Sequence, residues 1–146
     1  MPITVRPIQS ADKARWLDLF SQYITFYQAT VPADVIELTW QRLIGQSDGM
    51  IGFSAVDENG EILGLATAIF HRSTWSATTY CYLEDLFVDS ERRGGGIGRA
   101  LIEAVSAEAG RRAASRTYWA TAASNDTARH LYDRVAHLSP FVLYQR

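Results

Sequence analysis

The chain has 146 residues, of which 47% are hydrophobic and 21% are charged, and its formal net charge is -2 at pH 7. This length predicts one domain, residues 1–146, with a core that buries most of its apolar surface. The near-balanced charge gives no electrostatic reason to expect nucleic acid as a partner.

The chain contains one cysteine, Cys81, which cannot form an internal disulfide. The three histidines show no ligand spacing with a carboxylate or thiol, so we expect no metal. Residues 1–7 lack the apolar core of a signal peptide, and no apolar run approaches membrane-spanning length. We therefore expect a cytoplasmic protein with no membrane partner.

Alternating apolar residues predict a first strand from Ile3 to Ile8. A long helix follows, with an apolar face at helical spacing that comprises Trp16, Leu19, Phe20, Tyr23 and Tyr27. Its aromatic end is either plain core or, at Tyr23, Phe26 or Tyr27, an aromatic wall for a cationic substrate. A shorter second helix has a predicted buried side that comprises Val35, Leu38 and Leu43.

The middle of the chain predicts two antiparallel strands, Met50–Val56 and Glu61–Phe70. Asn59-Gly60 between them is a strong signal for a hairpin turn. The polar loop that follows carries Trp75, which is either a substrate gate or an exposed anchor of the loop.

A fourth strand is predicted from about Thr78 to Val88, followed by a glycine-rich turn and a helix that ends at Gly110. The remaining predicted elements are a short strand at Thr117–Thr121, a helix capped near Asn125 and a last strand at Phe141–Tyr144. This order predicts an α/β (α+β) fold, with a mixed, mostly antiparallel sheet and helices on both faces.

The glycine-rich turn is the most informative stretch, because it joins a strand directly to the start of a helix. Free backbone N–H groups and the positive end of the helix dipole there form a site for phosphate. The turn lacks the Gly-Lys-Ser/Thr ending of a nucleotide loop, and Arg99 stands where a dinucleotide fingerprint needs its third glycine. The remaining pattern is Arg93-x-x-Gly96-x-Gly98.

This pattern resembles the acyl-coenzyme A signature of the GNAT superfamily of N-acetyltransferases. Residues 124–132, from Ser124 to Tyr132, resemble that family's second motif, N-x-x-A-x-x-L/F-Y. Residues 81–88 are similar to the polyamine acetyltransferases, and residues 71–76 and 143–146 resemble the small histone, polyamine and D-amino-acid branch. The resemblance covers essentially the whole chain, and it implies a splayed acyl-CoA-binding βαβ core and a homodimer.

The resemblance also implies where acetyl-CoA binds. Its pyrophosphate is expected on the amides of the glycine-rich turn, and its pantetheine arm along the end of the fourth strand, as an added strand would pair. The implied cofactor-binding residues are Leu86, Phe87, Val88, Arg93, Gly94, Gly95, Gly96, Ile97, Gly98, Arg99 and Asn125. Asn125 is also a simple N-cap candidate, and the two roles do not exclude each other.

Catalytic roles follow from the resemblance and from the chemistry of amines. An amine of pKa ~10.4 must lose a proton before it attacks, so a base is useful, and Glu84 matches the acid of the polyamine enzymes. The alternative is a solvent-facing carboxylate at a strand bulge. Asp85 is a candidate for binding a second positive group of the substrate, and Tyr132 occupies the family's general-acid position.

The sequence therefore predicts an acetyl-CoA-dependent N-acetyltransferase that acts on a primary amine of a polyamine, an amino acid or a lysine side chain, including a peptide amine. Direct attack in a ternary complex is expected, because Cys81 has no obvious histidine to activate it. The alternative is a non-catalytic acyl-CoA-binding sensor, which would need neither Glu84 nor Tyr132.

Overall fold

The computed structural model describes residues 2–146, and its five strands form one sheet in the order β1-β2-β3-β4-β5. The strands are β1 (Thr4–Pro7), β2 (Met50–Val56), β3 (Ile62–His71), β4 (Tyr80–Val88) and β5 (Arg116–Tyr118). The first four pair antiparallel, and β5 pairs parallel to β4. The helices are α1 (Lys13–Phe26), α2 (Ala33–Gly45), α3 (Ile97–Arg111) and α4 (Asp126–Val135), and a short 3-10 turn at Ser10–Asp12 precedes α1. The predicted fold class is confirmed.

Helices cover both faces of the sheet because its central strands are apolar on both sides. Leu65 of β3 packs with buried residues of α1 and α2, such as Leu19 and Trp40. Its neighbour Ala66 belongs to a second cluster, which includes Leu101 of α3 and is flanked by half-buried residues of α4. No helix within residues 2–146 is long and apolar enough to cross a membrane.

The expected bulge in β4 is present at Glu84. Thr67 of β3 pairs with Asp85, whereas the next residue, Ala68, pairs with Leu83, so Glu84 is the extra residue of the bulge. A bulge of this kind bends the strand and re-aims its side chains.

The sheet splays next to this bulge. The pairing of β4 with β5 ends at Tyr82 opposite Tyr118. From Leu83 onward, the side of β4 that faces β5 therefore has no strand partner within the described part of the chain. The open edge at Leu86–Val88 can pair with an extended ligand in the way that an added strand would.

The predicted buried side of α2 was partly wrong. Val35 and Leu38 are 44% and 45% exposed, whereas Trp40 and Leu43 are buried. Trp40 and Leu43 lie on the face of α2 that packs into the core cluster together with Ile36 and Ile44, and Val35 and Leu38 lie off that face.

Three predicted elements differ in the structure. The third helix continues through Gly110 to Arg111, and the residue with left-handed backbone is Ala113, with φ of 56°. The last strand, Phe141–Tyr144, does not form, because no described element of the chain lies beside it to supply the hydrogen bonds of a strand. The strand predicted at Thr117–Thr121 is shorter than expected and corresponds to β5.

Candidate active site

The glycine-rich turn leads from β4 into α3 and leaves the first turn of that helix open. Gly94 and Gly96 have φ of 90° and 77°, which residues with a Cβ adopt only with strain. The first bond of α3 runs from the Ala100 N–H to the Gly96 carbonyl oxygen at 3.0 Å. The amides of Ile97, Gly98 and Arg99 therefore have no intrahelical acceptor and are available to an anion.

A cavity of about 460 Å³ lies over this turn, between β4, α4 and the end of α1. We call it the glycine-loop cavity. Of the predicted cofactor-binding residues it is lined by Leu86, Phe87, Val88, Arg93, Gly94, Gly96, Ile97, Gly98, Arg99 and Asn125. Gly95 does not line it. The free amides and the open edge of β4 lie on the same cavity, and this arrangement fits coenzyme A.

Two arginines at the rim of the glycine-loop cavity make contacts within the chain. The Arg93 Nε donates to the Val88 carbonyl oxygen at 3.2 Å, and the guanidinium lies over the rings of Phe26 and Phe87, 5.4 and 5.5 Å from their centroids. Arg99 forms an exposed ion pair with Glu103. Such surface pairs contribute little, so Arg99 can exchange its partner for a phosphate.

Asn125 caps α4 and lines the glycine-loop cavity at the same time. Its Oδ1 accepts a hydrogen bond from the Ala128 N–H at 3.3 Å, and its Nδ2 donates to the Thr121 Oγ1 at 3.5 Å. The capping role is therefore observed, and it holds the amide group at the cavity wall.

Tyr132 reaches the same cavity from α4. Its ring packs edge-on against Trp119 with centroids 5.4 Å apart. Burial raises the pKa of the Tyr132 hydroxyl, and the neighbouring Tyr27 adds to this effect. The hydroxyl is therefore protonated at neutral pH and can donate a hydrogen bond.

A second cavity, of about 570 Å³, lies on the face of the sheet that α1 partly covers. We call it the carboxylate cavity, because Glu84 and Asp85 both line it. Its other polar residues are Tyr23, Tyr27, Thr39, Thr67, Tyr82 and Thr121. No lysine, arginine or histidine is among the described residues that line it, so its walls are acidic and aromatic.

The two carboxylates differ in their surroundings. Glu84 is exposed, whereas Asp85 is half-buried. Burial raises the pKa of the Asp85 carboxyl to about 6 and the charge of Glu84 adds to this, whereas the hydroxyls of Thr67 and Tyr23 act in the opposite direction.

The glycine-loop cavity and the carboxylate cavity meet at α1, because Tyr23 and Tyr27 line both. Tyr23 packs edge-on against Tyr27 and against Phe87, with ring centroids 5.2 and 5.8 Å apart. Burial and the neighbouring Asp85 raise the pKa of the Tyr23 hydroxyl. Tyr23 and Tyr27 can therefore contact a molecule in either cavity.

Two residues considered from the sequence lie away from both cavities. Trp75 is 88% exposed in the loop between β3 and β4 and lines neither cavity. Cys81 is fully buried in the cluster that packs against α3, and burial raises the pKa of its thiol to about 11.

Thr67 is a cavity residue that the sequence reasoning missed. Its side chain is buried, and its Oγ1 makes no hydrogen bond of normal geometry within the described residues. The available signal was a single polar residue inside an apolar strand, because such a position is seldom favourable without a partner. Within residues 2–146, no group of His, Cys, Asp or Glu has the arrangement of a metal site.

A sequence profile of the acetyltransferase (GNAT) family matches residues 14–137 of the chain. The protein therefore belongs to this family and is an acyltransferase of the N-acetyltransferase type. The acyl donor of the family is acetyl-CoA.

Individual relatives agree with this assignment. The chain is 33% identical over 145 residues to the D-amino-acid N-acetyltransferase HPA3 of Saccharomyces cerevisiae, covering 99% of this chain and 90% of the relative. Among solved structures, the fold is similar to that of AAC(6')-Iy in complex with a bisubstrate analogue, with a TM-score of 0.85, 19% identity and coverage of 100% and 98% of the two chains. The same enzyme in complex with CoA gives a TM-score of 0.83 at 19% identity, with coverage of 99% and 94%.

Proposed function

We propose that residues 1–146 form one N-acetyltransferase domain that transfers the acetyl group of acetyl-CoA to a primary amine by direct attack in a ternary complex. The observation that carries this proposal is the meeting of the two cavities at Tyr23 and Tyr27. One cavity offers free helix amides and an open strand edge to coenzyme A, and the other offers two carboxylates to an amine.

The cofactor contacts follow from the glycine-loop cavity. The amides from Arg93 to Arg99 bind the pyrophosphate, and backbone groups of Leu86–Val88 pair with the pantetheine. Asn125 binds the pantetheine, and the Tyr132 hydroxyl donates a hydrogen bond to the sulfur as the thiolate leaves. Acetyl-CoA supplies the activated acetyl group, and the chain supplies binding and proton transfer.

The positions of the carboxylates support a division of roles opposite to the one that the family resemblance implies. Both carboxylates act on both tyrosines, but Asp85 has the larger effect on Tyr23, at the junction of the cavities, and Glu84 has the larger effect on Tyr82, farther along the sheet. We propose that Asp85 accepts the proton of the reacting amine and that Glu84 binds a further positive group of the substrate.

The raised pKa of Asp85 favours this role. Moving a proton from an amine of pKa ~10.4 to a carboxylate of pKa ~3.9 costs about 9 kcal/mol, from ~1.36 kcal/mol per pKa unit. With the pKa of Asp85 raised to about 6, the same transfer costs about 6 kcal/mol. A base closer in pKa to its substrate is the more effective one.

Direct transfer is supported by the position of the thiol. An acyl-enzyme would need a reactive thiolate in the cavity, whereas Cys81 is buried on the α3 side of the sheet and burial raises its pKa to about 11. A single cysteine with no disulfide partner suits a reducing compartment, and we propose a cytoplasmic location.

The carboxylate cavity also favours one class of acceptor. A free amino acid brings its own carboxylate within a few bonds of the amine, where it meets Glu84 and Asp85 with no basic residue among the described lining residues to offset it. In an amine with a second positive group, that group is attracted by the carboxylates of Glu84 and Asp85. We infer a preference for dicationic over zwitterionic acceptors.

A thiol-release assay with acetyl-CoA tests the activity and the preference together. The panel comprises polyamines, D-amino acids, L-amino acids, aminoglycosides and histone-tail peptides, and it includes D-amino acids because of the relative HPA3. Putrescine against 4-aminobutyrate, and D-alaninamide against D-alanine, are pairs that differ in one charged group.

The expected result is turnover in which putrescine and the amide exceed their carboxylate partners at least tenfold in kcat/KM. If the two members of each pair have equal kcat/KM, or if the carboxylate member has the higher value, the acceptor preference is wrong but the proposed activity stands. Tight CoA binding with no turnover on any acceptor contradicts the proposed enzyme and favours the acyl-CoA sensor.

A further inference from the structure

Thr67 places a hydroxyl group in the apolar middle of β3. Its side chain is 1% exposed, and the next residues on the same face of the strand, Leu65 and Ile69, are apolar. A buried hydroxyl costs free energy unless it has a partner, whereas a valine would fill the same space without that cost. The hydroxyl therefore has a role that the shape of the side chain does not explain.

Asp85 lies directly opposite Thr67 in the sheet. The two residues pair across β3 and β4 beside the bulge at Glu84, and both line the carboxylate cavity. The Thr67 Oγ1 makes no hydrogen bond of normal geometry within the described residues. It nevertheless lowers the pKa of the Asp85 carboxyl, as a donor does beside a carboxylate. The hydroxyl is thus close enough to Asp85 to bind its ionised form.

Tyr23 supplies a second neutral donor to the same carboxylate. Its hydroxyl also lowers the pKa of Asp85, and its own raised pKa keeps it protonated. The titratable groups lining the cavity around Asp85 are Glu84 and Tyr82 of β4 and Tyr23 and Tyr27 at the end of α1, with no lysine, arginine or histidine among the described lining residues. A cation would hold the carboxylate ionised and weaken it as a base, whereas two hydroxyls orient it and leave it able to accept a proton.

The two donors differ in how firmly they are held. The Tyr23 hydroxyl lies at the tip of a long side chain near the end of α1, whereas Thr67 lies on a strand that is paired on both sides. Branching at Cβ also restricts the bond that carries the threonine hydroxyl. Thr67 is therefore the fixed donor of the pair.

We propose that Thr67 is a positioning residue for proton transfer, and that its hydroxyl donates to one oxygen of ionised Asp85 so that the other oxygen faces the acceptor amine. The inference rests on the proposed function, in which Asp85 accepts the proton of that amine. An N–H bond of the amine breaks and an O–H bond forms on the second Asp85 oxygen, while Thr67 keeps its own proton. The nitrogen lone pair is then free to attack the thioester carbon.

The pH profile of kcat/KM tests this role with two substitutions at one position. Thr67→Val keeps the shape of the side chain and removes the donor, whereas Thr67→Ser keeps the donor. Because the lost hydrogen bond is to a charged group, the rise of kcat/KM with pH should move from about 6 to about 7 in Thr67→Val and stay in place in Thr67→Ser. A rise that stays near 6 in Thr67→Val overturns the proposal.

Thr117→Val on β5 is the matched control. The Thr117 hydroxyl bonds the buried thiol of Cys81 and lies outside both cavities, so this variant removes a comparable hydroxyl and should leave the pH profile unchanged. Thr67→Val should lower kcat by about tenfold at slightly acidic pH and leave KM nearly unchanged, because the buried hydroxyl acts on the base and not on the bound amine. A raised KM with unchanged kcat overturns the proposal.

A double variant ties the effect to Asp85. In the Asp85→Asn background, which lacks the base, Thr67→Val should lower kcat/KM no further, and an equal further loss there overturns the proposal. If Asp85→Asn keeps the rise with pH, the proposed role of Asp85 and this inference fail together. If Asp85→Asn loses the rise and Thr67→Val does not move it, this inference fails alone.

Carbon NMR of the carboxyl groups gives a readout that needs no turnover. The Asp85 signal is assigned by its absence in Asp85→Asn. Its titration midpoint should rise by about one pH unit in Thr67→Val and stay unchanged in Thr67→Ser and Thr117→Val, with circular dichroism to confirm that each variant folds. Because this signal does not depend on catalysis, a midpoint that does not move overturns the hydrogen bond whether or not the proposed activity is found.

Discussion

At the scale of single residues, Asp85 and Glu84 show how neighbouring carboxylates acquire different chemistry. The bulge at Glu84 brings both into one cavity, yet only Asp85 is half-buried, and burial raises its pKa to about 6. A carboxylate whose pKa is raised by burial in a cavity is a candidate for acid–base chemistry.

The pH profile of activity tests the role of Asp85. We expect kcat/KM to rise with pH through about 6, as Asp85 ionises, and Asp85→Asn to remove this limb and lower the rate by about 10²–10⁴-fold. In the control Glu84→Gln the limb should remain and move to lower pH, because the charge of Glu84 helps to raise the pKa of Asp85. If kcat/KM of Asp85→Asn still rises with pH through about 6, Asp85 is not the base.

The same residue predicts an effect on stability. Because the pKa of Asp85 is raised in the folded state, folding favours the protonated form, and stability falls as pH rises from about 4 to about 6. Asp85→Asn should therefore increase the free energy of unfolding at pH 7.5 by on the order of 1–3 kcal/mol, and by little at pH 4. Urea denaturation at the two pH values measures this, and equal effects at both would contradict it.

Tyr132→Phe should have a mild effect on turnover. The leaving thiol has a pKa near 8.5, so its thiolate needs little protonation, and the lost hydrogen bond contributes about 0.5–1.5 kcal/mol. We expect kcat to fall by about tenfold or less. Tyr118→Phe, outside both cavities, is the control. A fall of more than about 1,000-fold would mean that Tyr132 transfers its proton fully.

At the scale of elements, the glycine-rich turn combines two separate demands on its glycines. Gly96 has a positive φ that its backbone requires, whereas Gly98 lies in the first turn of α3, where a Cβ would lie 3.4 Å from the Leu131 side chain, an ordinary contact. Gly98 therefore keeps the cavity open, and Gly96 shapes the turn.

Three alanine variants separate these demands. Gly98→Ala should weaken CoA binding with little loss of stability, because its Cβ protrudes into the cavity without strain. Gly60→Ala, at φ of 81° in the hairpin turn, should cost about 1–2 kcal/mol and leave CoA affinity unchanged. Gly96→Ala should both weaken CoA binding and lower the stability. Calorimetric titration with CoA and thermal unfolding measure the two effects, and full CoA affinity in Gly98→Ala would refute the assignment.

At the scale of the whole molecule, the glycine-loop cavity is built from elements distant in the sequence. The end of α1, the end of β4, the start of α3 and α4 all line it. A ligand that contacts all of them stabilises the folded state as a unit.

Coenzyme A should therefore stabilise the protein against heat. At a CoA concentration 100 times its Kd, linkage predicts about 2.7 kcal/mol of added stability, which corresponds to roughly 5–10 °C in Tm at this chain length. Hydrogen exchange should slow at the glycine-rich turn and at α4 more than at β1. An unchanged Tm, or protection spread evenly over the sheet, would place CoA elsewhere.

Local patterns in the sequence determined much of this protein. Asn59-Gly60 predicted the hairpin, the alternating apolar residues predicted most strands, and Arg93-x-x-Gly96-x-Gly98 predicted the turn into α3. These features depend on residues that are close in the sequence, so the sequence alone predicts them. The bulge at Glu84 belongs with them, because two adjacent carboxylates interrupt an apolar strand.

Tertiary structure alone decided what lies between distant elements. The contact of Asp85 with Tyr23, the place of Thr67 in the carboxylate cavity and the inward face of α2 all depend on how α1 and α2 pack on the sheet. The segment 141–144 has a strand pattern and yet no strand partner among residues 2–146. Propensity selects a backbone conformation, whereas hydrogen bonding and burial require a neighbour, and only the packed structure shows whether one is there.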